Sequence, residues 1–141
     1  MKKTRIFALA AAILLLAALC ACDAKPSELT FVNKTGVQLH SIYISSVEKD
    51  EWADPVNYAK LSDGSRIHFE FDKVDGDGPG MYDIGAVDAD NLNYDFYEVP
   101  LAIGDTITML PAEGEYGTLT VTSADGTVTE YEGYCYEGEE Q

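Results

Sequence analysis

The residues best suited to chemistry are carboxylates, and three of them, Asp88, Asp90 and Asp95, follow in the spacing Asp-x-Asp-x4-Asp. Calcium takes about six to eight oxygen ligands, often from flexible loops rich in carboxylates. If the acidic loops at 50–54 or 75–77 approach from the same end of the fold, these side chains form a candidate metal site. Aspartates are equally common in β-turns, where their side chains bond the local backbone. The segment therefore leaves calcium binding and ordinary turn chemistry both open.

Two known calcium motifs offer a comparison for these loops. The run Asp75-Gly76-Asp77-Gly78 lacks the glutamate at the twelfth position that an EF-hand loop requires, so that motif is excluded. C2-type sandwich domains use Asp-x-Asp loops beside a second acidic loop, and Asp54-Pro55 is distantly similar to such a loop. The Asp88 spacing is one residue shorter than the common C2 pattern. A calcium-binding C2-like domain is one alternative interpretation of the chain.

The sequence contains few residues at spacings typical of enzyme active sites. His40 and His68 are the two histidines, and neither has a His, Cys or carboxylate partner at a spacing typical of zinc sites. No nucleophile elbow, phosphate-binding loop or metalloprotease helix motif occurs. The chain is accordingly predicted to be non-catalytic, without a cofactor unless calcium binds.

Aromatic residues carry the second hypothesis. The chain holds nine Tyr, five Phe and one Trp, so some aromatic rings must lie at the surface of so small a domain. Exposed Tyr and Trp rings are typical of carbohydrate-binding and protein-binding surfaces. We select Trp52 and Asp54, in an acidic loop, and Tyr94 and Tyr97 as candidate binding residues. Tyrosine is also simply a good strand residue, which is the plainer explanation.

The charge of the chain limits its partners. Nine basic residues face 25 acidic ones, which gives a formal charge of −16. Such a chain repels nucleic acid and anionic lipid headgroups, so neither is expected as a partner. Cations, basic ligands or solubility alone are compatible with this charge.

The N-terminus indicates where the protein is located. Lys2, Lys3 and Arg5 precede an apolar run at 6–19, which is the layout of a secretory signal and too short to span a bilayer. Leu19-Cys20-Ala21-Cys22 resembles a bacterial lipobox, in which the final cysteine is lipidated. We therefore predict a signal peptide at 1–21 and an extracytoplasmic protein that Cys22 anchors to the bacterial cell membrane. Cleavage near Ala21 or Ala24 without lipidation, or an uncleaved anchor, are the alternatives.

Removal of the signal and lipidation of Cys22 would leave Cys135 as the remaining thiol. No intramolecular disulfide is then possible. Cys135 has no basic residue close in sequence that would lower its pKa. We interpret it as a half-buried structural residue.

Short alternating apolar and polar runs, separated by turn residues, indicate an all-β domain. The segment 66–72 is the clearest strand, because Ile67, Phe69 and Phe71 alternate with polar residues. We predict a tether at 22–27, a single antiparallel β-sandwich of seven or eight strands at 28–136, and an acidic tail at 137–141. The domain is expected to be monomeric.

Several of these segments together resemble one family. Phe31-Val32-Asn33-Lys34-Thr35-Gly36, the strand from Leu39 to Ser45, Trp52 and the run Tyr82-Asp83-Ile84 through Asp90 are similar to a family of small bacterial exported β-sandwich domains. The similarity covers about 28–110 and implies a β-sandwich fold without an assigned activity. The chain departs from the family pattern at Ala53 and Asn91, and in the added hairpin from Tyr116 onward. No catalytic residue is carried over from the resemblance.

These observations lead to one expected function and two alternatives. We expect a membrane-anchored lipoprotein whose domain binds a protein or a glycan without catalysis. The alternatives are the calcium-binding domain and a structural envelope accessory protein without a small ligand.

Overall fold

A computed structural model describes residues 28–139. The predicted signal peptide at 1–21, the tether at 22–27 with Cys22, and residues 140–141 of the predicted tail lie outside this range. None of the described residues forms a helix long and apolar enough to cross a membrane.

Within 28–139 the chain is all-β, as predicted, with one short 3-10 turn at Phe71–Lys73 and no α-helix. The number of strands is eight, at the upper end of the predicted range. The strands are β1 (Leu29–Asn33), β2 (Leu39–Ser46), β3 (Arg66–Phe69), β4 (Gly80–Asp88), β5 (Leu92–Leu101), β6 (Asp105–Met109), β7 (Tyr116–Thr122) and β8 (Val128–Glu137).

The strands belong to one curled sheet in the order β2-β4-β5-β8-β7-β6-β1-β3, which resembles a half-barrel more than two stacked sheets. The predicted antiparallel sandwich is corrected in two respects. β1 and β6 are parallel, while every other neighbouring pair is antiparallel. β8 pairs with β7 along most of its length and with β5 through Tyr134–Glu137, so it joins the two halves into a continuous sheet.

The core lies on the concave side of the curl, where alternate residues of each strand point inward. It is closed by Phe71 and Val74, from the 3-10 turn, and by Leu61 from the segment that returns to β2. The fully buried large side chains are Leu29, Phe31, Leu39, Ile42, Ile44, Ile84, Phe96, Ile107, Met109 and Leu119.

Two glycines allow the sheet to bend sharply between β5 and β8. The pairing of these strands stops at Asp95 and Tyr134, and the buried Phe96 ring then lies against Gly117 and Gly133. A Cβ atom at Gly133 would overlap the carbonyl oxygen of Asp95 and approach Cδ1 of Phe96 to 2.5 Å. The missing side chain therefore makes room for the backbone of β5 and for a core aromatic ring.

The turn after β1 is organised by one buried amide. Asn33 is fully buried, and its Nδ2 donates hydrogen bonds to the carbonyl oxygens of Val37 at 2.8 Å and Leu61 at 2.9 Å. Its Oδ1 accepts hydrogen bonds from the backbone N–H of Thr35 at 3.0 Å and from the Thr35 hydroxyl at 2.8 Å. The Asn-Lys-Thr-Gly motif thus ties β1, its turn and the Leu61 segment together.

Cys135 is buried within β8, with 4% of its surface exposed. Burial, together with the charge of Asp88, raises the pKa of its thiol. Because the thiolate is the reactive form, we expect iodoacetamide at pH 8 to modify Cys135 at least about tenfold more slowly in the native chain than in urea. Peptide mass spectrometry distinguishes this cysteine from Cys20 and Cys22. Equal rates in the two conditions would contradict the buried placement.

Candidate functional site

A row of aromatic and acidic side chains crosses the outer surface of four strands. In the register, Tyr43 of β2 lies beside Gly85 of β4, Gly85 beside Asp95 of β5, and Asp95 beside Tyr134 of β8. Because the flanking positions on each strand point into the core, this row points outward. Four neighbouring strands span about 14 Å at the usual strand spacing. We call this surface the aromatic face; Trp52, Tyr97 and Tyr136 complete it.

Trp52 reaches the aromatic face from the loop after β2 and lies over Gly85. A Cβ atom at Gly85 would lie 3.2 Å from Cη2 of Trp52 and 3.4 Å from Oδ1 of Asp95. The Trp52 and Tyr43 rings meet edge to face, with centroids 6.2 Å apart and an interplanar angle of 63°. Trp52 remains 44% exposed. Because Gly85 has no side chain, the indole of Trp52 packs directly against β4 while part of it remains exposed to solvent.

Asp95 organises the opposite end of the aromatic face. Its Oδ2 accepts hydrogen bonds from the hydroxyls of Tyr136, at 2.7 Å, and Tyr97, at 3.3 Å. Tyr97, Tyr134 and Tyr136 are each at least 50% exposed. Together with Asp95 they line a shallow depression of about 710 Å³. The Tyr97 and Tyr136 rings are held in place by a shared carboxylate, and all three rings present surface to solvent.

Tyr97 lies on the same side of β5 as Asp95, and a β-bulge follows it. The register between β4 and β5 shifts between Tyr82 and Ile84, and Glu98 has a positive φ of 56°. Asp83 supports this conformation, because its Oδ1 accepts the Glu98 N–H at 2.9 Å. The extra residue leaves Tyr97 and Glu98 both exposed. The bulge thereby places the carboxylate of Glu98 beside the Tyr97 ring.

The hydrogen bond to Asp95, followed by burial, raises the pKa of Tyr136 to about 12. The folded pKa exceeds the unfolded value of about 10, so this stabilising contribution is present below pH 10 and is lost as the pH rises to about 12. We expect Asp95→Asn to lower the pKa of Tyr136, because the carboxylate that opposes its ionisation is removed. A ¹³Cζ NMR titration of Tyr136 measures the change, with Tyr58, which lies elsewhere, as the internal control. An unchanged Tyr136 titration in the variant would contradict the contact.

Of the candidate binding residues, Trp52 and Tyr97 lie on the aromatic face, whereas Tyr94 does not. Tyr94 is 2% exposed, and its hydroxyl donates to Oδ2 of Asp88 at 2.9 Å within the core. The prediction for Tyr94 is therefore corrected, since a buried ring presents no surface to a ligand. Burial, the hydrogen bond to Asp88 and the nearby charge all raise the pKa of Tyr94.

The three carboxylates proposed for calcium are not brought together. Asp88 is buried, and its Oδ1 accepts the backbone N–H groups of Asp90 at 2.8 Å and Leu92 at 3.0 Å. Asp90 is exposed in the turn, and Asp95 belongs to the outward-facing row. Residues 28–139 contain no group of three or more His, Cys, Asp or Glu side chains placed to hold a metal ion. Asp88 thus stabilises the turn, in which Asn91 adopts a positive φ of 63°.

Asp54 lies in a second concave region, which we call the edge groove. This groove of about 950 Å³ separates the segment 52–58 from β3 and the turn that follows it. Asp54, Asp72 and Asp75 contribute carboxylates to its rim, and Tyr58 stands 99% exposed beside them. Lys49 lies 3.7 Å from Asp75, which brings the two acidic loops close together.

Sequence reasoning did not select Tyr43, Tyr134, Tyr136 or Gly85 for the site. The pattern Tyr-Cys-Tyr at 134–136 places both tyrosines on one side of a strand and Cys135 on the other, as observed. That pattern indicates a shared surface but does not show that β8 pairs with β5. The location of the site therefore became visible only with the strand order.

Comparison of the chain with protein-family profiles, with curated proteins and with solved structures finds no match in any of the three. The resemblance to small exported β-sandwich domains therefore stays a prediction. The functional argument rests on the geometry of residues 28–139.

Proposed function

We propose that this protein is a lipid-anchored, extracytoplasmic binding protein without catalytic activity, and that its aromatic face binds neutral glycans. The observation that carries the proposal is the outward row of Tyr43, Trp52, Asp95 and Tyr134 across four strands. A single exposed ring would be ordinary on a protein surface. A fixed row that includes a hydrogen-bonded carboxylate is a more specific arrangement.

The chemistry of the aromatic face suits sugars. Flat rings pack against the apolar sides of pyranose units, and tyrosine loses little conformational entropy on contact because it has few rotatable bonds. Asp95 accepts two phenol hydrogen bonds at one oxygen, which leaves Oδ1 facing Gly85 as an acceptor for a sugar hydroxyl. Asp83, Glu98 and Glu137 surround the face with negative charge, so uncharged glycans are favoured over anionic ones.

Trp52 provides a direct measurement, because it is the one tryptophan of the chain. We expect its fluorescence emission to change saturably when neutral oligosaccharides, such as cello-, chito- and xylo-oligosaccharides, are added to the full chain in non-ionic detergent. Removal of one ring by Tyr97→Ala or Tyr134→Ala should weaken binding about tenfold, equivalent to about 1.4 kcal/mol. The affinity should change little between low and high salt, because the ligand carries no charge.

Tyr58→Ala is the matched control, since Tyr58 is more exposed than any residue of the aromatic face but lies at the edge groove. It should bind oligosaccharides as the unmodified chain does. Unchanged Trp52 emission with every oligosaccharide at millimolar concentration would refute the glycan proposal. Equal weakening in Tyr58→Ala and Tyr97→Ala would show that the binding does not involve the aromatic face.

The anchoring part of the proposal has its own test. In a bacterial host fed an alkyne-labelled fatty acid, the chain should become labelled and sediment with membranes. Cys22→Ser should abolish labelling, whereas Cys20→Ser, two positions away, should preserve it. Labelling that persists in Cys22→Ser would contradict the proposed anchor without bearing on the aromatic face.

A further inference from the structure

β3 leaves one of its two edges without a neighbouring strand. The Asn33 N–H donates to the Ser65 carbonyl at 3.0 Å, and β1 and β3 then pair in register from Val32–Arg66 to Leu29–Phe69. In an antiparallel ladder alternate residues bond to the partner, so the backbone groups of Ile67 and Phe69 face β1. Those of Arg66 and His68 face away from it. Within 28–139 no strand or bridge pairs with that side of β3.

The other end of the sheet shows how this chain covers an edge. The Val56 N–H donates to the Ile42 carbonyl at 2.8 Å, and Oδ1 of Asn57 accepts the Ile42 N–H at 2.7 Å. Nδ2 of Asn57 donates to the His40 carbonyl at 3.0 Å, and Leu61 forms a bridge with Leu39. The edge of β2 is therefore occupied by the segment 53–61, whereas β3 lacks any such cover in the described chain.

The edge groove lies between this covering segment and the open side of β3, and its lining suggests what it accepts. Val56 and Ile67 are half-buried and pack against the core, so the floor of the groove is apolar. The rim carries the carboxylates of Asp54, Asp72 and Asp75, against the ammonium groups of Lys73 and of Lys49, which lies 3.7 Å from Asp75. Lys73 is itself 3.9 Å from Asp72, which partly offsets its charge. The groove thus combines free backbone groups, an apolar floor and a negative rim.

We propose that the edge groove binds an extended basic peptide segment of a partner protein, which adds to β3 as a ninth strand. Backbone N–H and C=O groups of the peptide pair with those of Arg66 and His68, as in other cases of strand addition. Successive side chains of a strand point to opposite sides, so one set covers Val56 and Ile67 while the other set remains outside. Lysine or arginine in that outer set complements the carboxylates of the rim. The exposed, charged side chain of Arg66 opposes pairing with arbitrary strands.

This site adjoins the aromatic face at Trp52, which also lines the edge groove, but the proposal holds whether or not that face binds glycans. The probe is a fluorescein-labelled decapeptide of alternating valine and lysine, measured by fluorescence anisotropy with the full chain in non-ionic detergent. We expect saturable binding that weakens at least tenfold between 20 and 200 mM salt, values chosen to span about 20 to 7 Å in screening length. A peptide with glutamate in place of lysine should not bind. A peptide N-methylated at alternate residues keeps its charge but cannot pair, so it should bind at least tenfold more weakly.

The matched protein variants differ in whether residue 68 carries a backbone N–H. His68→Pro removes an outward N–H without breaking a bond to β1, since proline is tolerated at such edge positions. His68→Ala loses the same imidazole, with its contact to the Thr30 hydroxyl, but keeps the N–H. We expect at least tenfold weaker peptide binding in His68→Pro than in His68→Ala, with equal thermal unfolding in both.

Three results would overturn the proposal. Equal affinity for the N-methylated and unmodified peptides would reduce the interaction to charge alone. Equal affinity in His68→Pro and His68→Ala would place the peptide elsewhere. Concentration-dependent dimers that His68→Pro abolishes, measured by sedimentation without peptide, would identify a second copy of this chain as the occupant of the edge.

Discussion

Asn33→Asp is expected to lower the free energy of unfolding by about 3 to 4 kcal/mol at neutral pH. The change replaces the Nδ2 donor by an oxygen that faces the carbonyl oxygens of Val37 and Leu61 in a fully buried site. An ionised carboxylate there faces two carbonyl oxygens and can donate to neither, and a protonated one satisfies at most one of them. Chemical denaturation of both proteins measures the difference.

Asn57→Asp is the matched control, because Asn57 also donates to two carbonyl oxygens, those of His40 and Ala59, but is only half-buried. Water can solvate the new carboxylate there, so the loss should be about 1 kcal/mol or less. The Asn33→Asp loss should also shrink as the pH falls to 4, because protonation removes the buried charge. Equal losses at both positions, or no dependence on pH, would contradict the role assigned to burial.

Gly133→Ala is expected to destabilise the domain by about 3 kcal/mol or more. The added methyl group overlaps the Asp95 carbonyl oxygen, which is backbone and cannot rotate away, and it also meets the Phe96 ring. Relief of the backbone overlap requires β8 to move from β5, and the Phe96 ring must also shift from its position over Gly117 unless that movement frees it. Either movement disturbs the join between the two halves of the sheet.

Gly80→Ala is the control for this change. Gly80 also lies in a strand, but a Cβ atom there meets nothing closer than 3.9 Å, and it is exposed. Its replacement should change stability by no more than about 0.5 kcal/mol. If Gly133→Ala were as mild as Gly80→Ala, β5 and β8 would have to be less closely packed than the structure places them.

Local patterns in the sequence predicted the strands well, because alternation depends only on neighbouring residues. The strand expected from Leu39 to Ser45 lies within β2, and the hairpin expected from Tyr116 onward is β7 and β8. The strand expected at 66–72 is shorter than predicted, because it ends at Phe69 and a 3-10 turn begins at Phe71. Local patterns could not predict which strands pair, because the parallel contact of β1 with β6 and the contact of β8 with β5 join segments that are distant in sequence. Those two contacts decide between a continuous curled sheet and a sandwich.

Only part of the candidate site was predicted, because the rest also depends on contacts between separate strands. Trp52 and Tyr97 were selected, and both lie on the aromatic face. Alternation alone places Tyr94 and Tyr97 on opposite sides of an ideal strand, which is inconsistent with a single site that uses both rings. Alternation along a single strand does not show the bulge at Glu98, which is also specified by Asp83 from the neighbouring strand. The packing of Trp52 against Gly85 likewise depends on a contact between separate segments, the loop after β2 and the strand β4.

The position of β1 has a consequence for the order of events during synthesis. β1 emerges first, yet both of its neighbours come much later, β3 at Arg66–Phe69 and β6 at Asp105–Met109. Until then the apolar side chains of Leu29 and Phe31 have no partner strand to cover them. High contact order of this kind slows folding to about milliseconds or seconds. The sheet therefore cannot be completed strand by strand as the chain emerges, and the domain should fold only after most of it has been synthesised.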